Sequence, residues 1–436
     1  MSAVQQAAAP LNEANADDRI ELAWRPLSAD AVEKICVAII NMELQPRVRV
    51  IDLTDNGLGP ELTERLSVAV ETSVVEEFII RYNSIGKIGC DSIASAVNVS
   101  TTLQLLDLRG NRLQVTDIKK LLKSVSMSTS LRQLGLGGND LGPEGAALVA
   151  SALERNVAVT QLDLHSNNLG PEGVEHLAQM LEGNSSSLRN IDLWGNKLQA
   201  KGIERIGDAL RRNSTLVRVS LGNNAMGGDI ETCAAFATAL SKNSTLTDLD
   251  LRSNGIGAEA IKALLPGVAA HPTLTRLSLC TNPIGPDGVE HVARALQSNV
   301  HLTSLDLWNC GIESKGATRI AGLIASNSVL VEVILANNSI DDSGAEALSK
   351  ALPMTKKLEI LDLVNNKITQ PGAILLMEAL QLTPRVTALS LHGNNVNRIT
   401  QKKVDAVLSE RRPHLDQRLG TNFNPPSRRP APLPFE

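Results

Sequence analysis

Val159–Gly170 reads VTQLDLHSNNLG, with Val159, Leu162, Leu164, Asn167 and Leu169 in the fixed places of a frame L-x-x-L-x-L-x-x-N-x-L. The frame recurs thirteen times. Its Asn position falls at Asn56, Asn83, Asn111, Asn139, Asn167, Asn196, Asn224, Asn254, Asn282, Cys310, Asn338, Asn366 and Asn394. The steps are 27, 28, 28, 28, 29, 28, 30, 28, 28, 28, 28 and 28 residues. So regular a period marks a stacked array in which each unit buries its apolar face against the next.

Within the frame, L-x-L alternates with period two, so its leucines face one way and the intervening residues the other, as in a short strand. The Asn amide carries donors and an acceptor and can satisfy the backbone of its turn; stacked, these amides should form a buried ladder. Cys310 offers only a weak donor and should hold its turn less firmly. The second half of each unit reads as a helix. In GPEGVEHLAQML (Gly170–Leu181), Pro171 suits a first turn, and Leu177, Ala178 and Leu181 share one face. Gly285–Leu296 is nearly its copy, so His176 and His291 recur by repeat identity, at exposed helix positions. Parallel strands stack about 4.8 Å apart and packed helices about 8–10 Å. The helix layer must therefore be the longer, with the strands on the inside of the bend.

The frame, the period and the helical second half resemble leucine-rich repeats of the ribonuclease-inhibitor type, from roughly Val48 to Val396. The resemblance implies an α/β leucine-rich repeat solenoid, a horseshoe of about 13 repeats of 28 residues with a concave parallel β-sheet and convex α-helices. The chain is also similar to the Ran GTPase-activating proteins, which implies action on a small GTPase. That family ends in a strongly acidic segment, whereas here the tail from Pro413 sets Asp416 and Glu436 against Arg418, Arg428 and Arg429. Similar repeats in large assemblies, for example ciliary ones, imply a structural subunit as a third reading.

The boundaries read as follows. Residues 1–20 are Ala, Gln, Asn and Asp rich and expected to be disordered. Residues 21–47 form an N-terminal cap, a helix begun by Ser28 with Val32, Ile35, Ala38 and Ile39 on one face and Trp24 packed beside it. The repeats occupy 48–397. A capping helix follows over 398–412, with Ile399, Val404 and Leu408 covering the open end. The Pro-rich tail, 413–436, is flexible.

The 436 residues are 43% hydrophobic but only 2% aromatic, so Leu, Val, Ile and Ala must fill the core. The net charge of −5 offers no basic face for nucleic acid. No apolar run approaches membrane-spanning length, and the first residues lack the pattern of a signal peptide. Five cysteines without metal-ligand spacing fit reduced thiols in a cytoplasmic protein; Cys280 is placed on a strand. Of the Asn-x-Ser/Thr triplets at Asn184, Asn213 and Asn243, the last two coincide with a recurring Asn (Asn156, Asn213, Asn243, Asn299, Asn327) three residues before each new frame. There an Asn suits a left-handed helix ending.

No catalytic constellation stands out. There is no phosphate-cradling loop, and Gly135, Gly137 and Gly138 give only a fragment of a dinucleotide fingerprint. No cofactor and no metal site is expected. The expected activity is a non-enzymatic scaffold that binds a protein on the concave face. Across three rows of that face stand ten acids and five arginines. The acids include Asp52, Asp107, Asp163, Asp192, Asp250, Asp306 and Asp362, read as a solvated face or, more sharply, as a surface for a basic partner. Trp194 and Trp308 point onto this polar wall, where an indole is unusual and typical of binding hot spots. Arg252 lies between them in sequence, and Arg81, Tyr82, Arg109 and His165 extend the site N-terminally.

Overall fold

The computed structural model describes residues 18–41, 47–183, 185–409 and 411. Of the start expected to be disordered, residues 1–17 lie outside the described residues, as do Asn184 and the Pro-rich tail; Arg19 and Ile20 instead belong to a strand, Arg19–Glu21. Among the described residues, fourteen three-residue strands alternate with fourteen α-helices. The chain divides into two compact units, Met1–Ser278 and Leu279–Glu436.

In the first unit, ten strands from Arg19–Glu21 to Arg276–Ser278 pair in parallel, in sequence order. In the second, the four strands from Ser304–Asp306 to Ala388–Ser390 do the same. The register never slips within either unit: Gln161, Leu162 and Asp163 lie opposite Asn190, Ile191 and Asp192. Equivalent positions therefore stack in rows. The middle residue of each strand and the leucine two places on are buried, as Leu162, Leu164, Ile191 and Leu193 show. Each contributes about 1.5–3 kcal/mol by leaving water. The helices close this core, with Val174, Leu177, Ala178 and Leu181 of Gly170–Glu182 all buried. His176 is exposed on that helix and His291 half-buried on its counterpart.

The amide ladder forms. Asn196 accepts the N–H of Asn167 on Oδ1 at 2.9 Å, and its Nδ2 donates to the carbonyls of Leu164 (2.9 Å) and Leu193 (3.0 Å). Cys310 keeps the pattern in weaker form: its Sγ lies 3.2 Å from the Leu279 carbonyl, while its own N–H still reaches Asn338 Oδ1 at 2.8 Å. A second ladder runs where the helices end. Asn213 Oδ1 accepts the N–H groups of Thr215 and Leu216, and its Nδ2 donates to the Leu181 carbonyl of the preceding repeat. These asparagines are not left-handed. Asn213 has φ −73° and Asn327 φ −70°; the side chain, not the backbone, turns the chain. His271 takes the same place, its Nδ1 accepting from Thr273 and Leu274.

Two other expectations change. Trp24 is 65% exposed, not packed on the cap. Ile20 and Leu22, in and just after a first strand that lacks the frame's Asn, are the residues buried there. In the closing helix Arg398–Ser409, Ile399 is exposed, and Thr400, Val404 and Leu408 form the buried stripe. A spacing of four keeps residues on one helix face, and Ile399 falls one step round from it.

Candidate functional site

The strand face away from the helices carries the rows expected to bind. Its Asp row is not a solvated face. Asp52, Asp107, Asp163, Asp192, Asp250, Asp306 and Asp362 each accept, on Oδ1, the backbone N–H two residues on, at 2.9–3.2 Å. Each carboxylate thus closes its own turn, the local bond for which Asp is favoured. Asp107 and Asp250 are 5% and 4% exposed. The i, i+2 spacing that sets this turn chemistry is visible in the sequence.

In the first unit the arginines are tied to this row. Arg81 Nε meets Asp107 Oδ2 at 2.6 Å, and Arg109 grips Asp107 through Nε and Nη2 while its Nη1 reaches Asp163 Oδ2 at 3.0 Å. That reach spans two strands. It is possible because Gly135, in register between Asp107 and Asp163, has no side chain to fill the gap. His165 Nδ1 lies 2.6 Å from Asp163 Oδ1. Burial disfavours the charged His165, but the Asp163 hydrogen bond and charge outweigh it and raise its pKa. Burial likewise opposes ionised Asp163, yet His165 and Arg109 hold its pKa below the ordinary value. Arg252 pairs with Asp250, Nε to Oδ2 at 2.6 Å. Arg218 and Arg276 both approach Asp248.

The aromatic residues are seated by glycines of neighbouring repeats. A Cβ at Gly110 would collide with the ring of Tyr82, one at Gly137 with His165, and one at Gly222 with both Trp194 and Arg252. Tyr82, left-handed at φ 55°, remains 43% exposed. Trp194 is half-buried. The first unit therefore brings Arg81, Tyr82, Arg109, His165, Trp194 and Arg252 onto one face. Trp308 belongs to the second unit, where it is 38% exposed and follows Asp306 in the same turn.

Above Gly135 the face sinks into a depression of about 320 Å³, lined among others by Arg81, Asp107, Arg109, Asp163, Asp192 and Arg252. Among the described residues no cluster of His, Cys, Asp and Glu could hold a metal ion. No helix there is long and apolar enough to cross a membrane. The cysteines are all buried and none is in a disulfide. Cys280 lies in a turn just past its strand.

The family described as Leucine Rich repeat matches residues 128–150, 156–178, 242–265, 298–321, 326–349 and 356–377. The fold is a leucine-rich repeat solenoid. A chain of the yeast Rad7 and Elc1 complex is similar at TM-score 0.51 and 15% identity, over 85% of each chain. An internalin of Listeria monocytogenes aligns at TM-score 0.41 and 16% identity, over 79% of this chain and 87% of that one. The actin-binding site 2 of leiomodin-1 aligns at TM-score 0.28 and 20% identity, over 30% of this chain and 76% of that one. No curated protein matches the sequence. At these identities the likeness concerns fold alone.

Proposed function

We propose that this chain is a non-enzymatic, cytoplasmic protein-interaction scaffold that holds a protein partner on the sheet face away from its helices. The observation that carries the reading is the seating of Tyr82 and Trp194 on a wall of paired charges, each ring held over a glycine and left partly open. Aromatic and arginine side chains dominate binding energy at interfaces, and rings already locked in place lose little freedom on binding. Trp308, exposed on the equivalent position of the second unit, is the other anchor, with Arg252, Arg81, Arg109 and His165 as the polar surround. The residues on the face are committed to turns and ion pairs, which suits recognition better than chemistry. The yeast neighbour of similar fold was solved in a complex with Elc1, the kind of assembly this reading expects.

The test is affinity capture from native lysate with wild type beside the Trp194→Ala/Trp308→Ala double variant. Neither indole is in the core, so the variant should keep the wild-type melting profile. It should lose a partner that wild type retains, because truncating a central aromatic anchor costs about 2 kcal/mol or more. A small GTPase as that partner would point to regulation of GTP hydrolysis. Identical captured sets would refute the reading.

A further inference from the structure

The depression above Gly135 is lined by four arginines and four aspartates, but their pairing is uneven. Every arginine has a carboxylate. Arg81 and Arg109 share Asp107, Arg109 also takes Asp163, Arg252 takes Asp250, and Arg218 lies 3.6 Å from Asp248 just outside. Three of the aspartates have a cation in return. The fourth, Asp192, has hydrogen bonds from the Trp194 N–H and the Ser220 hydroxyl and feels the charge of nearby His165, but among the described residues no lysine or arginine pairs with it.

Its setting makes that lack costly. Asp192 stands in register beside Asp163, on strands about 4.8 Å apart. Burial first, and then the Asp163 charge, raise its pKa above the ordinary value. Arg109 and His165 bond Asp163, one on each oxygen, and His165 acts on Asp192 only through its charge. Asp192 is thus the one carboxylate of the lining without an ion pair among the described residues, and the cavity in front of it is open. At about 320 Å³ it sits at the lower end of the range for ligand pockets, which suits one long side chain. Gln161 and Asn190 place amide groups on its wall.

We propose that this depression receives one arginine side chain of the protein partner, with Asp192 as its counter-ion. The proposal rests on the scaffold reading and names the chemistry of the partner's anchor. A guanidinium matches a carboxylate in two parallel hydrogen bonds and leaves further donors for the flanking amides. An anion fits less well: it would face Asp192 and compete for arginines that already have carboxylates.

The test titrates the full chain with Nα-acetyl-arginine amide, following the Trp194 backbone amide by NMR, with the neutral isostere Nα-acetyl-citrulline amide as control. Saturable binding of the arginine probe is expected, with none by citrulline. Asp192→Asn keeps an acceptor for the Trp194 N–H but should weaken binding by about tenfold or more, as expected for removing one member of a desolvated charge pair. Asp52→Asn, outside the depression, should leave it unchanged. Equal binding of citrulline, undiminished binding by Asp192→Asn, absence of saturation, or inorganic phosphate saturating the same signal would each overturn the proposal. Arginine binding that depends on Asp192, beside a partner set unchanged by the double Trp variant, would keep the seat and remove the anchors. The reverse combination would keep the scaffold and remove the seat.

Discussion

At the scale of single residues, the Asp163–His165 pair shows how the wall is held. Folding raises the His165 pKa and lowers that of Asp163. The signs follow. Stability from His165 is full below its unfolded value near 6.5 and is lost as pH rises through the higher folded value. Stability from Asp163 is present above its unfolded value near 3.9 and is lost as pH falls through the lower folded value. The pair therefore contributes most between those two unfolded values. NMR titration of the His165 ring should give a midpoint above 6.5, and Asp163→Asn should move it down. An unmoved midpoint would show that Asp163 does not hold the imidazolium.

At the scale of the element, several helices start directly after a turn on a left-handed entry residue, whereas those from Val115, Ala258 and Asp342 open on an extended cap. Gly59, Gly142, Gly170 and Gly285 supply φ near +60° without strain, followed by a proline in the first turn. Gln199 and Glu313 open their helices at φ 56° and 54° without being glycine. A non-glycine residue there costs about 1–2 kcal/mol, against about 0.5–1 kcal/mol for the extra chain entropy of glycine. Gln199→Gly should therefore raise stability by about 0.5–1 kcal/mol, read from urea unfolding. A loss would mean that the Gln199 side chain supplies a contact outweighing the strain. The longest step, from Asn224 to Asn254, is absorbed at the same entry point. A 3₁₀ turn over Met226–Gly228 and a new helix cap at Asp229, accepting from the Glu231 N–H, take up the extra residues.

At the scale of the whole chain, the five thiols report on packing throughout. Burial is the main cause in each case that lifts Cys90 and Cys310 to about 12 and Cys36 and Cys233 to about 11. A thiolate is the reactive form. None of the five should react with an aromatic disulfide reagent at pH 8 in the native protein, and all five should react in denaturant. Fast labelling of any one without denaturant would place that repeat in local opening.

How far each feature could be read depends on whether it repeats. Strand, turn and helix of every unit were legible because the frame states them thirteen times: a leucine at the wrong parity would face water, and an apolar residue in place of Asn167 would leave turn carbonyls unpaired. The Asn ladder and the Gly170–Leu181 helix follow from that alone. The breaks in repetition were not legible. Trp24 and Ile399 lie in the caps, where no second copy shows which apolar residue faces inward. The role of the Asp row was visible in spacing, yet a carboxylate's charge reads the same whether it closes a turn or meets solvent. The glycine gaps at positions 110, 135, 137 and 222 gain meaning only beside Tyr82, Arg109, His165 and Trp194, which come from other repeats. Sequence periodicity determines what each repeat does for itself. Stacking in register decides which side chains of neighbouring repeats meet, and so that Asp192, among the described residues, is given no lysine or arginine partner.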